Sequence, residues 1–189
     1  MFVKKNMNVS KFYHYAFPMQ AVLVTCIDEN GKTNPITIAW HTPISINPPL
    51  YGISIGPNRY SHKLIKQSKE FVINFAPYEI VEKVNFCGTC SGRSHDKIKE
   101  VKLTLCNSEK VKTKYIKECF VNMECKLFKS IVLGDHTFFV GEIVNILSDD
   151  NAFTDDLLNN EKVKPCYYIG DHIYTTIRDK KIKFNLKVL

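Results

Sequence analysis

The sequence predicts a mainly β protein, specifically a β-barrel with helical inserts, and two observations support this. Most apolar residues either alternate with polar ones or form short β-branched runs, which is the pattern of strands. Turn signals such as Asn30-Gly31 and Gly134-Asp135 separate these segments at the spacing of hairpins. Helical spacing of apolar residues at 59–67 and 79–86 predicts the inserts. We expect the 189 residues to form a single domain spanning 1–189.

In the first half of the chain, the predicted elements follow from apolar runs and the turns between them. Residues 20–27 are apolar and β-branched almost throughout, so they predict a strand. Asn30-Gly31 is the strongest hairpin signal, and it returns the chain through a second strand at 33–40. Three prolines predict a loop at 41–49. The other predicted elements are a short helix or an arm at 1–19, strands at 50–56 and 70–75, and the helices at 59–67 and 79–86.

In the second half, two long alternating segments are the main feature. Residues 118–131 and 136–147 predict strands, which a turn at Leu133-Gly134-Asp135 joins into a hairpin. Residues 87–118 are rich in Cys, Gly, Ser and Lys and predict irregular structure. The acidic, asparagine-rich segment 149–161 predicts surface structure, with a short helix as one option. The last predicted strands are 165–169 and 181–189.

The charge balance and the cysteine content limit the location and the partners of the protein. The net charge of +7 and the pI near 9.0 permit contact with nucleic acid or anionic lipid, but many lysines lie at the spacing of solvated faces. A basic chain also attracts small anionic cofactors. Residues 1–20 contain no apolar signal segment, no apolar run reaches about 18 residues, and the seven scattered cysteines indicate reduced thiols. We therefore expect a cytoplasmic protein without a membrane partner.

The segment 34–40 predicts a strand that is suited to a flat ligand. Ile36 and Ile38 alternate with Thr37 and Ala39, so one face is apolar and the other is small and hydroxylated. Small side chains let an aromatic ring lie against the backbone, where amides and the Thr37 hydroxyl can bind its polar edge. The alternative is an ordinary barrel strand with small residues where the barrel is tight.

An anion site is predicted at 56–62, where a strand ends and a helix begins. Either Asn58 or Ser61 can cap that helix, and the free amides, the Ser61 hydroxyl and the Arg59 guanidinium together form a cradle for a phosphate. A helix end contributes only about 0.3–1 kcal/mol to anion binding at exposed sites, so Arg59 must supply much of the affinity. The alternative is a capped helix with a surface arginine.

The Cys87-x2-Cys90 motif, with a histidine nearby, resembles the beginning of a zinc site that the sequence does not complete. The position of the fourth zinc ligand holds Glu100 where a cysteine is needed, and there is no second Cys-x2-Cys pair, so we predict no metal site. A thioredoxin-like redox motif would need a strand–helix context that is missing here. The glycines and hydroxyls of this stretch, together with Arg93 and Lys97, instead favour an anion-lined loop.

Two further polar residues lie in predicted strands. Asn74 falls in an alternating segment and, if buried, must hydrogen-bond to backbone or to a ligand, backbone being the commoner partner. His136 begins a strand directly after Gly134-Asp135. For this histidine the alternative to a functional role is an ordinary hairpin turn with a capping aspartate.

Taken in order, these features resemble the flavin-reductase-like family of FMN-binding split barrels, closest to its flavoredoxin branch. The resemblance covers nearly all of the chain, and Cys90 departs from the pattern, which leaves a thiol role open. The matching motifs are Asn34-x-x-Thr37-x-Ala39-Trp40, Pro48-Pro49 before 50–56, Arg59-x-Ser61, 70–74, Cys87-Gly88-x-x-Ser91-Gly92-x-x-x-Asp96-Lys97, and Gly134-Asp135-His136 before Gly141-Glu142.

The resemblance implies a homodimer with FMN near the subunit interface. His136 corresponds to the position that reductase members associate with the nicotinamide side, so it is the candidate catalytic residue. The implied cofactor-binding residues are Thr37, Ile38, Ala39, Trp40, Ser54 and Ile55 for the isoalloxazine ring, Arg59, Tyr60 and Ser61 for the phosphate, and Asn74, Ser91 and Lys97 for the polar rim.

We therefore expect an FMN-dependent oxidoreductase in which NAD(P)H reduces the flavin and the flavin passes electrons to an acceptor, as in a flavin or ferric-type reductase. The alternative is a flavoredoxin-like FMN electron carrier that a partner protein reduces in place of NAD(P)H. A third class is a flavin-free barrel that binds nucleic acid. We disfavour it because the aromatic residues alternate as core residues do and are not presented for base stacking: Phe71, Phe75, Phe138 and Phe139.

Overall fold

The structure, a computed structural model, describes residues 4–178 and is mainly β, as predicted. The predicted strand at 181–189 lies outside these residues. The strands are β1 (Met19–Gln20), β2 (Val22–Ile27), β3 (Thr33–Ile38), β4 (His41–Ser45), β5 (Leu50–Ile55), β6 (Glu70–Phe75), β7 (Leu105–Cys106), β8 (Tyr115–Ile116), β9 (Val121–Leu133), β10 (His136–Ser148), β11 (Phe153–Thr154), β12 (Leu157–Leu158), β13 (Tyr167–Gly170) and β14 (Ile173–Thr175). The helices are α1 (Tyr60–Ser68), α2 (Val81–Thr89) and α3 (Lys97–Glu100), with 3-10 helices at Val9–Ala16 and Tyr78–Ile80. None of these described helices is long and apolar enough to cross a membrane.

Seven strands form one antiparallel sheet in the order β3-β2-β6-β9-β10-β5-β4, which curls into a split barrel. Two of its six pairs of neighbouring strands, β2–β3 and β9–β10, are the hairpins that the turn signals predict. β2 pairs with β3 so that Ile27 lies opposite Thr33, and Gly31 in the turn has a φ of +79°. β9 and β10 form the long hairpin around Gly134, whose φ is +60°. Both turns therefore use glycine where a left-handed backbone is required.

Two apolar clusters explain why β2 has no polar face. Val22 and Val24 belong to the cluster inside the barrel. Leu23, between them, belongs to a second cluster, where it packs with Val84 and Cys87 of α2. Because successive side chains of a strand point to opposite faces, a strand buried on both faces has the continuous apolar run that this sequence shows.

Asn74 lies fully buried in β6, and protein groups satisfy its amide. Its Nδ2 donates to the carbonyls of Leu23 at 2.8 Å and Val72 at 3.1 Å. Its Oδ1 accepts from the Ile116 backbone N–H and from Asn122 Nδ2, both at 2.9 Å. The prediction that backbone groups satisfy this amide is confirmed, and the same bonds hold β8 against the barrel.

The structure corrects three predictions of irregular or helical structure. The proline segment at 41–49 contains β4, because Pro43 lies on an edge strand, where a missing N–H is tolerated. The stretch predicted to be irregular, 87–118, contains the end of α2, the short helix α3 and the β7–β8 pair. The acidic segment at 149–161 forms the β11–β12 hairpin and no helix, since Asp155 and Asp156 take left-handed φ angles of +50° and +60° in its turn.

Candidate functional site

A cavity of about 290 Å³ opens along β3, and we call it the β3 cavity. On its β3 side it combines three chain segments that are far apart in sequence: the end of β3, the end of β5 and the start of β10. Its wall includes Thr37 and Ala39, the small residues on which the sequence prediction of a flat ligand rests. The predicted site residues in its wall are Thr37, Ile38, Ala39, Trp40, Ser54, Ile55, Arg59 and His136.

A second cavity of about 210 Å³ adjoins the first, and we call it the basic groove. The two cavities share four lining residues: Ile36, Arg59, Gly88 and Thr89. Arg59, Arg93 and Lys97 give the groove three cations, and no carboxylate lines either cavity within residues 4–178. The groove therefore suits an anion. The other predicted site residues that it contains are Tyr60, Ser61 and Ser91.

The beginning of α1 differs from the prediction. Arg59 is the N-cap residue and no side chain caps the helix, so the predicted cap by Asn58 or Ser61 is wrong. The Ser61 hydroxyl instead accepts a hydrogen bond from Asn34 Nδ2 at 2.8 Å, which ties α1 to β3. The Arg59 guanidinium makes no hydrogen bond or ion pair within the described part of the chain, so it is available to a ligand, as are the backbone N–H groups of Tyr60 and Ser61, whereas that of His62 donates to the Arg59 carbonyl.

Lys97 supplies a buried cation to the basic groove. Only 4% of the residue is exposed, and its Nζ donates to the carbonyls of Pro35 at 3.0 Å and Cys87 at 2.7 Å. Burial lowers the pKa of Lys97, because desolvation disfavours the charged form. An ammonium group has three donors, so one N–H remains for an anion in the groove.

The loop after α2 approaches β3 so closely that only glycine fits at position 92. A β-carbon on Gly92 would lie 1.8 Å from Asn34 Oδ1 and 2.7 Å from Asn34 Cγ. The next residue, Arg93, donates to the Asn58 carbonyl at 3.0 Å and lies 5.7 Å from the centre of the Tyr60 ring. The loop therefore closes one side of the basic groove and is joined to the chain before α1.

We expect Gly92→Ala to lower the free energy of unfolding by about 1–3 kcal/mol, because the new methyl group displaces buried Asn34 from Ser61 and breaks a buried hydrogen bond. Urea unfolding measures the change. Gly56→Ala is the matched control, since a β-carbon there meets only His136 Nε2, at 3.7 Å, which is ordinary contact. Equal losses in the two variants would contradict the importance of this close approach.

His136 begins β10 and lines the β3 cavity, and its ring is held on both sides. Its Nδ1 is hydrogen-bonded to Asp135 Oδ1 at 2.8 Å, and its ring centre lies 5.1 Å from that of Trp40. The hydrogen bond to His136 lowers the pKa of the Asp135 carboxyl. Because the carboxylate can only accept, Nδ1 carries the proton and Nε2 remains for a ligand in the β3 cavity.

The structure limits two predicted ligand contacts. The Thr37 hydroxyl donates to the Val84 carbonyl of α2, so it can bind the polar edge of a ligand only as an acceptor. Asn74 lines neither cavity, because its amide is fully buried and fully bonded in the sheet. The structure therefore does not bring Asn74 together with the other predicted site residues.

The sequence reasoning did not predict the wall opposite β3. This wall comes from α2 and the β13–β14 hairpin, whose turn residues Asp171 and His172 have φ angles of +48° and +58°. One signal was readable in the sequence, since Gly170-Asp171-His172 repeats the tripeptide Gly134-Asp135-His136 before a strand. Both histidines line the β3 cavity. The missed residues are Ala21, Asn85, Tyr168, His172 and Tyr174.

Comparison with known proteins identifies the family. Residues 14–176 match the family model described as a flavin reductase like domain. An uncharacterized protein of Archaeoglobus fulgidus is 41% identical over 147 residues, which are 78% of this chain and 81% of that protein. The flavoredoxin of Desulfovibrio vulgaris (Miyazaki F) superposes with a TM-score of 0.85 at 26% identity, covering 96% of this chain and 97% of that one. An FMN-binding protein from Thermus thermophilus shares the fold at 23% identity, with a TM-score of 0.81 over 97% and 99% of the two chains. The chain therefore belongs to the flavin reductase-like domain family.

Proposed function

We propose that this protein is an FMN-dependent oxidoreductase that transfers electrons from NAD(P)H to an acceptor, as a flavin or ferric-type reductase does. The observation that carries the proposal is the junction of the β3 cavity with the basic groove. A cavity with short side chains suits a planar ring, and the adjoining groove with three cations and no carboxylate suits the phosphate of the same molecule. FMN has both parts, and an FMN-binding protein of Thermus thermophilus shares this fold.

The residues present fit FMN, and each part of the site has its own task. Arg59, the backbone N–H groups of Tyr60 and Ser61 and the remaining N–H of Lys97 would hold the phosphate. Trp40 would border the ring, and His136 Nε2 would act on the nicotinamide side. When bound, FMN would supply the hydride chemistry between the nicotinamide and the acceptor, so no protein nucleophile is required.

The test is an anaerobic titration of the purified protein. We expect it to bind FMN with quenching of the flavin fluorescence, and the yellow colour to bleach on addition of NADH or NADPH. Protein that does not bind FMN contradicts the proposal. Protein that binds FMN but is reduced only by another protein indicates the alternative, a flavoredoxin-like electron carrier, which the likeness to Desulfovibrio flavoredoxin favours.

We further propose that the protein is a cytoplasmic homodimer. An apolar pocket of about 540 Å³ shares Ala39, Trp40 and Ser54 with the β3 cavity, so a second copy bound there would lie beside the flavin. Phe12, which lines this pocket, is 63% exposed, and Ile46 on the β4–β5 connection is 95% exposed. Analytical ultracentrifugation is expected to give the dimer mass. The seven cysteines are unpaired, which supports a reducing compartment.

A further inference from the structure

The wall of the β3 cavity opposite β3 contains a polar group of three side chains that has no role in the proposed function so far. Asn85 of α2 lies at its centre, and its Oδ1 is 3.2 Å from His172 Nδ1 and 3.4 Å from the Tyr174 hydroxyl. All three residues line the β3 cavity and none lines the basic groove. We call this group the Asn85 cluster.

The hydrogen bonds of the Asn85 cluster fix which atoms are presented to a ligand. Asn85 Oδ1 can only accept, so His172 Nδ1 and the Tyr174 hydroxyl both donate to it. The Asn85 Nδ2 group then has no partner within residues 4–178 and remains a donor. His172 protonated at Nδ1 has a free lone pair at Nε2 when the ring is neutral, so Nε2 is an acceptor.

The ring of His172 is oriented by a hydrogen bond at Nδ1, as is the ring of His136. Both histidines follow Gly-Asp close to the start of a strand, and the Nδ1 acceptor is Asp135 for His136 and Asn85 for His172. His172 reaches its position through a left-handed turn, which residues other than glycine rarely adopt. The cavity therefore has two histidines with a free Nε2, on different elements.

The geometry points to the Asn85 cluster as the site that binds the amide edge of a planar ring ligand, meaning a carbonyl oxygen with an N–H beside it. Asn85 Nδ2 donates to the carbonyl, His172 Nε2 accepts from the N–H, and Tyr174 positions Asn85 through its oxygen. The inference rests on the proposed function, because two molecules of that function have such an edge: the pyrimidine ring of the flavin and the carboxamide of the nicotinamide.

The test compares each ligand with an analogue in which a methyl group takes the place of the N–H donor, either on the ring nitrogen of the flavin or in place of the carboxamide NH2 of the nicotinamide. For the flavin, the protein is titrated with FMN and with 3-methyl-FMN, and flavin fluorescence gives the two dissociation constants. For the nicotinamide, the FMN-loaded protein is titrated with NAD⁺ and with 3-acetylpyridine adenine dinucleotide, followed by the change in flavin absorbance. We expect the wild-type protein to bind one ligand about tenfold more tightly than its analogue, as one hydrogen bond in a cavity provides.

The variants are His172→Phe, which removes the acceptor and keeps a ring, and Asn85→Leu, which keeps the size of the side chain and removes the donor. In His172→Phe we expect the ligand and its analogue to bind with nearly equal affinity, so that the preference of about tenfold is lost, because the ligand N–H no longer has an acceptor. In Asn85→Leu we expect weaker binding of both members of the pair, because the carbonyl loses its donor. His95→Phe is the control, since His95 is exposed, bonds to Glu100 and lines neither cavity.

The outcomes separate the two ligands and separate this inference from the proposed function. If the wild-type protein prefers FMN to 3-methyl-FMN and His172→Phe loses that preference, the cluster is assigned to the flavin. The same loss for the nicotinamide pair assigns the cluster to the nicotinamide. A wild-type protein that binds FMN but shows no preference in either pair, or a preference that His172→Phe retains, overturns the inference alone. A wild-type protein that binds no FMN contradicts the proposed function itself.

Discussion

Replacing Asn74 with alanine is expected to lower the free energy of unfolding by about 3–5 kcal/mol, among the largest effects of any single substitution in this chain. The substitution leaves the Ile116 N–H and one N–H of the Asn122 amide without their acceptor, and removes one donor from the Leu23 carbonyl, all in the buried interior of the sheet. Each buried group left unsatisfied costs about 1–3 kcal/mol, and the loss of volume adds to the total. Urea unfolding followed by circular dichroism measures the change.

Asn107→Ala is the control for this prediction, because Asn107 is exposed and makes no side-chain hydrogen bond within the described residues. We expect it to change the stability by less than about 0.5 kcal/mol. The FMN affinity of Asn74→Ala, measured where the variant is folded, should equal that of the wild type, since Asn74 lines neither cavity. A stable variant with weakened FMN binding would restore the ligand role that the family resemblance implies for this residue.

The elements that the sequence predicts well are those whose signal is local. The apolar run of β2 and the Asn30-Gly31 turn predict the first hairpin, and neither signal depends on the rest of the molecule. The edge strand β4 is hidden by its prolines, which indicate a loop. The two-residue strands depend either on a partner that is distant in sequence, as β1 does on β13, or on backbone angles, as in the left-handed pair Asp155-Asp156. No periodicity in so short a segment distinguishes such a strand from a loop.

In the candidate site, too, residues that are close in sequence were predicted, and residues that only the fold brings together were not. Residues that lie together on one motif, such as Thr37–Trp40 on β3 or Arg59 and Ser61 on α1, were predicted together, and the structure brings them to one place. Asn85 could not be predicted, since an asparagine on an amphipathic helix is ordinary and only the fold brings the β13–β14 hairpin to it. Asn74 is the opposite case, because the family resemblance implies a ligand role for it whereas the sheet uses its whole amide.

Replacing Arg59 with glutamine is expected to weaken FMN binding about 10- to 100-fold and to leave riboflavin binding nearly unchanged. Riboflavin has the same ring without the phosphate, so only FMN can use the guanidinium. A hydrogen bond to a charged group contributes about 1.5–3 kcal/mol, and about 1.4 kcal/mol corresponds to a factor of ten. Fluorescence titration with the two flavins gives the four dissociation constants. Arg59 is exposed and not otherwise bonded among the described residues, so the variant should fold normally.

Lys63→Gln is the matched control, because Lys63 lies one turn further along α1, is exposed and lines neither cavity. It removes the same charge from the same helix, so a general effect of net charge would weaken FMN binding equally in both variants. At 0.1 M salt the attraction between a surface charge and the phosphate is largely screened beyond about 10 Å, whereas a direct contact is screened much less. We therefore expect the Arg59 effect to remain at high ionic strength and the small Lys63 effect to vanish. If riboflavin and FMN weaken together in Arg59→Gln, the phosphate does not lie in the basic groove, and the orientation proposed for the flavin is wrong.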